Sequence, residues 1–148
     1  MIFQHTWEKV LSGKKTQTRR IMKSGSAMIC REGEIQEAYN GFLPIGRPAW
    51  VVGKTYAIQP ERGQKAVARI QILSIRQEDV REISEEDVFA EGFFYDTPGF
   101  LMTWTKMHDN PALNLLNKID LRAWVHDELP KRPAERYQAW ALTFRVVK

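Results

Sequence analysis

Ser12-Gly13-Lys14-Lys15-Thr16-Gln17-Thr18-Arg19-Arg20 runs into the apolar pair Ile21-Met22. Gly13 and the pair Ser24-Gly25 punctuate it, and residues 16–22 between them are rich in β-formers, so the stretch predicts a turn and then a strand. From Lys9 to Lys23 the chain carries six basic residues (Lys9, Lys14, Lys15, Arg19, Arg20, Lys23) and no acid. A run of this kind describes a solvated face equally well. The two hydroxyls inside it, Thr16 and Thr18, point instead to anion binding or to an activated nucleophile. Strand alternation places Thr16, Thr18 and Arg20 on one side and Gln17 and Arg19 on the other. Lys15 joins the Thr18 side only if it lies in the turn after Gly13.

Outward from this stretch, Trp7, Val10 and Leu11 fall on one helical face, with Thr6 placed to cap a helix over 6–12. Residues 27–31 and 34–39 around Glu32-Gly33 read as a hairpin, and Gly41–Pro48 as a loop. Strands are expected at 50–59 and 66–75. The clearest spans 139–147, where Trp140, Leu142, Phe144 and Val146 alternate with Ala141, Thr143 and Arg145. Ser84 followed by Asp87 predicts a capped helix that Gly92 ends, with Ile83 and Val88 as its staple. Thr97-Pro98 opens another, carrying Phe100, Trp104 and Met107 as a stripe. Asn110-Pro111 and Asp120 mark helix starts over 111–128, and 130–133 reads as a linker. Strands broken by short helices give an α+β class, a small mixed barrel with a helical insertion.

Composition bounds the function. The 148 residues suit one domain; 43% are hydrophobic and 11% aromatic, and the net charge is +4. No apolar run reaches the roughly 20 residues of a membrane span, and Met1-Ile2-Phe3-Gln4 leads into a helix pattern rather than a leader. The single cysteine, Cys30, forms no internal disulfide and suits a reducing, cytoplasmic setting. His5, His108, His126 and Cys30 fall at no metal-ligand spacing. Gly13-Lys14-Lys15 lacks the upstream glycine of a phosphate loop. Neither a metal nor a cofactor is expected.

Three side chains stand out for chemistry. A lysine among cations loses affinity for its proton when buried, so Lys15 is a candidate base and Thr18 its nucleophile. Glu91 ends a helix against the negative end of its dipole, with Asp87 one turn earlier adding like-charge repulsion. Pairing with Lys15 or Arg20, or proton transfer, would give that placement a reason; an incidental surface acid reads equally well. Trp7, Trp104 and Trp140 lie on amphipathic stripes and read as core. Trp50 and Tyr56 flank a turn and are better placed to stack on a base.

Gly13-Lys14-Lys15-Thr16-Gln17-Thr18-Arg19-Arg20 after a short helix resembles the signature of the ASCH domain, a PUA-like β-barrel family. Val52-Gly53-Lys54-Thr55-Tyr56-Ala57-Ile58 resembles one of its strands. Ile83-Ser84-Glu85-Glu86-Asp87-Val88-Phe89-Ala90-Glu91-Gly92-Phe93 resembles its helix ending in Glu-Gly-Phe. The resemblance covers about residues 1–23, 50–107 and 138–147, leaving insertions at about 24–49 and 108–137 in a single domain over 1–148. It implies a cleft that binds a nucleoside or RNA. It also implies similarity to N4-acetylcytidine amidohydrolases, whose Lys, Thr and Glu match Lys15, Thr18 and Glu91. Their Arg, two positions past the Thr, matches Arg20. Substrate contacts would then come from Arg20, Lys14, Arg19, Trp50 and Tyr56. The alternatives are a non-catalytic RNA-binding module, whose cations neutralise phosphates, and an RNA-cleaving member of the family.

Overall fold

Period-two alternation at the C-terminus builds the strand that organises the sheet. Strand β7 (Gln138–Val147) buries Trp140, Leu142 and Phe144 on one face. It lies between β1 (Gln17–Ile21) and β6 (Ala68–Asp79) and pairs antiparallel with both, Thr18 opposite Leu142 and Ile75 opposite the same Leu142. The computed structural model describes residues 1, 3, 6–41, 46–93, 96–109 and 111–147. Part of the predicted loop at 41–48 and the helix start at Asn110 lie outside them.

The hairpin is present as β2 (Ala27–Arg31) and β3 (Glu34–Tyr39). Its two turn residues are left-handed, Glu32 at φ 54° and Gly33 at φ 80°, the backbone that a tight two-residue hairpin requires. β4 (Trp50–Val51) pairs with β3, and β5 (Thr55–Ile58) with β6. The order is β1-β7-β6-β3-β2, and every ladder is antiparallel. The sheet is therefore open, where a closed mixed barrel was expected. Among the described residues β1 pairs only with β7 and β2 only with β3. The start of β1 meets a helix end instead of another strand: the Thr16 amide donates to the Ala90 carbonyl at 2.7 Å.

Helices α1 (Trp7–Leu11), α2 (Glu85–Ala90), α3 (Thr97–His108) and α4 (Lys118–Asp127) complete the fold. Thr6 does not cap α1 through its side chain; the Thr6 and Trp7 amides both donate to the Phe3 carbonyl, at 3.1 and 2.9 Å. Ser84 caps α2, its hydroxyl accepting from the Asp87 amide at 3.1 Å. Asp96, one residue before the predicted start, caps α3. The predicted helix over 111–128 is divided into a 3₁₀ turn, Pro111–Leu115, and α4, because Asn117 accepts from the Asp120 amide and starts a new helix.

Two hydrophobic clusters result. One joins Phe3, Val10, Ile58, Ile70, Ile72, Trp140, Leu142 and Phe144 under the sheet. The other joins Val80, Val88, Phe100, Trp104, Val125, Leu129 and Tyr137 among the helices. The segment after α3 thus supplies core to the helical half. Trp104 and Trp140 are core as expected, whereas Met107 is exposed.

Glu32 is the one non-glycine residue with positive φ among the described residues, a conformation that costs a side chain such as Glu about 1–2 kcal/mol. Glu32→Asn, which tolerates that conformation, is expected to raise the melting temperature by about 2–4 °C per kcal/mol recovered; calorimetry on the two proteins checks it.

Candidate functional site

A helix of α2's length ends with carbonyls that have no partner inside it. Here three consecutive ones are met by the N-terminal segment. The Thr16 amide donates to Ala90 O. Lys15 Nζ donates to Glu91 O at 3.0 Å and Lys9 Nζ to Gly92 O at 2.6 Å. The chain turns away at Gly92, φ +87°, where a Cβ would come within 3.1 Å of both Lys15 Cβ and Lys9 Cδ. Only glycine combines that backbone with so close an approach. The negative end of the α2 dipole therefore receives two ammonium groups.

Lys15 Nζ also reaches Glu91 Oε2 at 2.7 Å, joining groups 76 residues apart. Lys15 is 5% exposed and Glu91 4%. Asp87 does not repel Glu91 across an empty gap, because Arg19 stands between them. Its Nη2 lies 2.9 Å from Asp87 Oδ2 and its Nη1 3.4 Å from Glu91 Oε1. The cation converts an expected repulsion into a shared attraction.

Register fixes the faces. Thr18 and Arg20 lie opposite Leu142 and Trp140, on the face of the sheet cluster, while Arg19 lies opposite Ala141, on the other face. Phe3 collects cations on the first face: its ring is 5.1 Å from the Arg20 guanidinium and 5.9 Å from Lys15 Nζ. Lys15 thus sits where the two faces meet at the start of β1, with Glu91 on one side and Phe3 on the other. Thr18 is 5% exposed, and among the described residues its hydroxyl makes no hydrogen bond to Lys15 or Glu91.

Of the six cations in the basic run, Lys14 and Lys23 are exposed, Lys15 and Arg19 buried, and Lys9 and Arg20 half-buried. The run is mostly turned inward. Burial pushes the Lys15 ammonium below its ordinary value; the Glu91 charge and hydrogen bond oppose this, and Arg20 and Arg19 add to it. Burial likewise lowers Arg20, against the pull of Glu91. Arg19 moves upward although burial opposes it, because Glu91, Glu78 and Asp87 surround it.

Trp50 and Tyr56 pack against the sheet cluster and edge-on to each other, centroids 5.3 Å apart, and the Tyr56 hydroxyl accepts from the Val51 amide at 2.9 Å. Among the described residues no hydrogen bond or cation–π contact joins either ring to Lys15, Thr18 or Glu91. His108, which has no metal-ligand spacing, lies tilted against Trp104, ring centroids 4.8 Å apart at 47°. Burial and the charge of Arg20 lower its pKa, and Glu91 acts the other way, so it feels the same charges as Lys15. The i, i+4 spacing of Trp104 and His108 was the available signal. Glu78 and Arg76, on β6, were also missed; nothing local links them to residue 19.

Two surface concavities lie elsewhere. One of about 460 Å³ opens between α3 and α4 beside Lys106, Lys118 and Arg122. The other, about 520 Å³, lies beside β3 and β6 at Gln36, Leu73 and Arg76. Among the described residues no group of three or more His, Cys, Asp or Glu side chains is placed to hold a metal, and no helix is long and apolar enough to cross a membrane.

No family model matches the chain. It is 25% identical, over 160 aligned positions, to Mediator of RNA polymerase II transcription subunit 12 of Kluyveromyces lactis; the match takes in 97% of this chain but spans only 12% of that protein. Among solved structures it is similar to an ASCH domain from Lactobacillus crispatus, at 18% identity and a TM-score of 0.48, covering 94% of this chain and 68% of that one. It is also similar to a DUF984 protein from Enterococcus faecalis, at 18% identity and a TM-score of 0.46, covering 95% and 68%.

Removing one partner of a buried ion pair leaves an uncompensated charge and costs about 3–5 kcal/mol. Glu91→Gln is expected to destabilise by that order at neutral pH, with the deficit shrinking as pH rises toward 10.5, the ordinary lysine value. The sign follows from linkage: losing Glu91 lowers the folded-state Lys15 pKa further. Over that window the unfolded chain binds more protons, and stability climbs with pH more steeply than in the parent. Urea unfolding at pH 7 and pH 9.5 measures it.

Proposed function

We propose that this chain is an ASCH-type, PUA-like domain that hydrolyses the amide of an N4-acylated cytidine-type nucleoside. The observation that carries this reading is the buried 2.7 Å contact between Lys15 and Glu91, residues 76 positions apart, at the head of the strand bearing Thr18. The inward turn of the basic run favours a small enclosed substrate over a phosphate backbone lying on an open face.

In the resting site the proton sits on Lys15. Its transfer to Glu91 Oε2 frees the amine lone pair. Lys15 then takes the Thr18 hydroxyl proton as the oxygen attacks the acyl carbonyl. The C–N bond breaks as Glu91 returns its proton to the departing N4 amine, leaving an ester on Thr18. Water, deprotonated by Glu91, attacks the ester. Lys15 returns its proton to Thr18 Oγ1 as the acid leaves, and the proton that Glu91 took from water passes back to Lys15, restoring the starting state. Burial, which lowers the Lys15 pKa, favours the neutral amine this needs. Arg20, half-buried beside Phe3, would hold a substrate oxygen. Substrate entry has to open the Lys15–Glu91 contact, since all three groups are nearly closed to solvent.

That closure favours a second reading, an RNA-binding module in which Thr18 is simply packed and the exposed Lys14 and Lys23 meet phosphates. The purified protein is expected to release acetate from N4-acetylcytidine, with Thr18→Ala and Lys15→Ala each slowing release by orders of magnitude. Unchanged turnover in both variants rejects the mechanism. No release from the parent, with RNA binding that weakens steeply with salt, supports the module; strand scission of a defined RNA identifies a nuclease.

A further inference from the structure

Arg19 was expected to contact substrate, yet its side chain is 1% exposed and its donors are spent on protein. Nη1 donates to Gln17 Oε1 at 2.7 Å and to Glu91 Oε1 at 3.4 Å. Nη2 donates to Asp87 Oδ2 at 2.9 Å and to Glu78 Oε2 at 3.2 Å, and Nε to Glu78 Oε1 at 3.3 Å. The two outer acids are in turn held by Arg76, half-exposed at the solvent side, 3.1 Å from Asp87 and 3.6 Å from Glu78. Three carboxylates (Glu78, Asp87, Glu91) and three cations (Lys15, Arg19, Arg76) thus form one continuous array. Within it each oxygen of Glu91 has its own cation.

We propose that Arg19 is a positioning residue of the Lys15–Glu91 site: held by Glu78 and Asp87, it occupies Glu91 Oε1 and leaves Oε2 alone to exchange a proton with Lys15. The proposal rests on the amidohydrolase reading for its consequence in turnover, but not for its geometry. Arg19 approaches from the sheet face opposite Thr18, so it can fix the carboxylate without obstructing the nucleophile. When the Lys15 N–H bond breaks and an O–H bond forms on Glu91, the proton goes to Oε2, because Oε1 already accepts from a guanidinium that cannot give up a proton. Arg19 also opposes that transfer electrostatically and so keeps the resting proton on the amine.

Several other charged groups surround the pair. Arg20 lies on β1 and acts on both members. Lys9 on α1 holds the neighbouring Gly92 carbonyl, His108 on α3 feels Arg20 and Glu91, and Glu78 and Arg76 reach in from β6 through Arg19. Asp87 stands one turn back on α2. Arg20, Lys9 and His108 remain in place in both variants, so their contribution is common to them and the parent, whereas Glu78, Asp87 and Arg76 reach the pair through the array that the variants change.

The test compares Arg19→Gln and Asp87→Asn with the parent in two ways: the pH profile of acetate release from N4-acetylcytidine, and an NMR titration of the Lys15 side-chain nitrogen without substrate. Removing the Arg19 cation favours protonation at every step of the pair, so both limbs of the profile, and the Lys15 titration, are expected to move up by about one pH unit or more. Removing the Asp87 anion is expected to move them down. A residue that only holds the fold together would lower the rate without moving the limbs. Profiles and titrations that superimpose on the parent's overturn the proposal. If Arg19→Gln does not fold, Arg19→Lys decides: a shorter cation without the guanidinium fork cannot span Asp87, Glu78 and Glu91 Oε1 together, so the limbs and the Lys15 titration are expected to move up, and superposition on the parent overturns the proposal. If the parent releases no acetate, the hydrolase reading fails, while the Lys15 titrations still support or overturn the placement of Arg19.

Discussion

The end of α2 is the constraint on which the site depends. Carbonyls at a helix C-terminus, buried against another segment, need donors. The Thr16 amide and the Lys15 and Lys9 amines supply them at three consecutive positions. Each bond joins parts of the chain more than seventy residues apart, so meeting this local need also docks the head of β1 against the helix. That docking brings Lys15 to Glu91. The left-handed Gly92 lets the chain leave the helix without striking the two lysines it has just met.

Charge placement follows. A carboxylate at the negative end of a dipole and an ammonium in the interior are each unfavourable alone. Together, 2.7 Å apart, they offset one another. The balance remains partial, because burial still lowers the Lys15 pKa. Arg19 extends the pattern outward to Asp87, Glu78 and Arg76, so charge is graded from an enclosed pair to a half-exposed rim. The basic run therefore looks like a cationic surface in the sequence and becomes, for the most part, an interior array.

Local chemistry made several elements legible. Alternation from Trp140 to Val146, the Glu32-Gly33 turn between two short strands, and the Ser84 cap three residues before Asp87 each depend on neighbours within a few positions. The open sheet was not legible, because closure depends on which edge meets which. Here the start of β1 meets the carbonyl end of α2. The division of residues 111–128 was decided by competition between capping at Asn117 and helix continuation, which periodicity does not weigh.

The sequence by itself determined residue types, the parity of β1 and β7, and both ends of α2. These place Lys15 before a strand, Thr18 and Arg20 on one face of it, and Glu91 at a helix terminus. Tertiary structure alone decided that Arg19 rather than Arg20 grips Glu91, that Trp50 and Tyr56 turn edge-on to each other, and that His108 joins the same electrostatic neighbourhood. Parity and capping are properties of a few consecutive residues. Which guanidinium reaches a carboxylate dozens of residues away is set by how sheet and helix pack, and no local pattern encodes that distance.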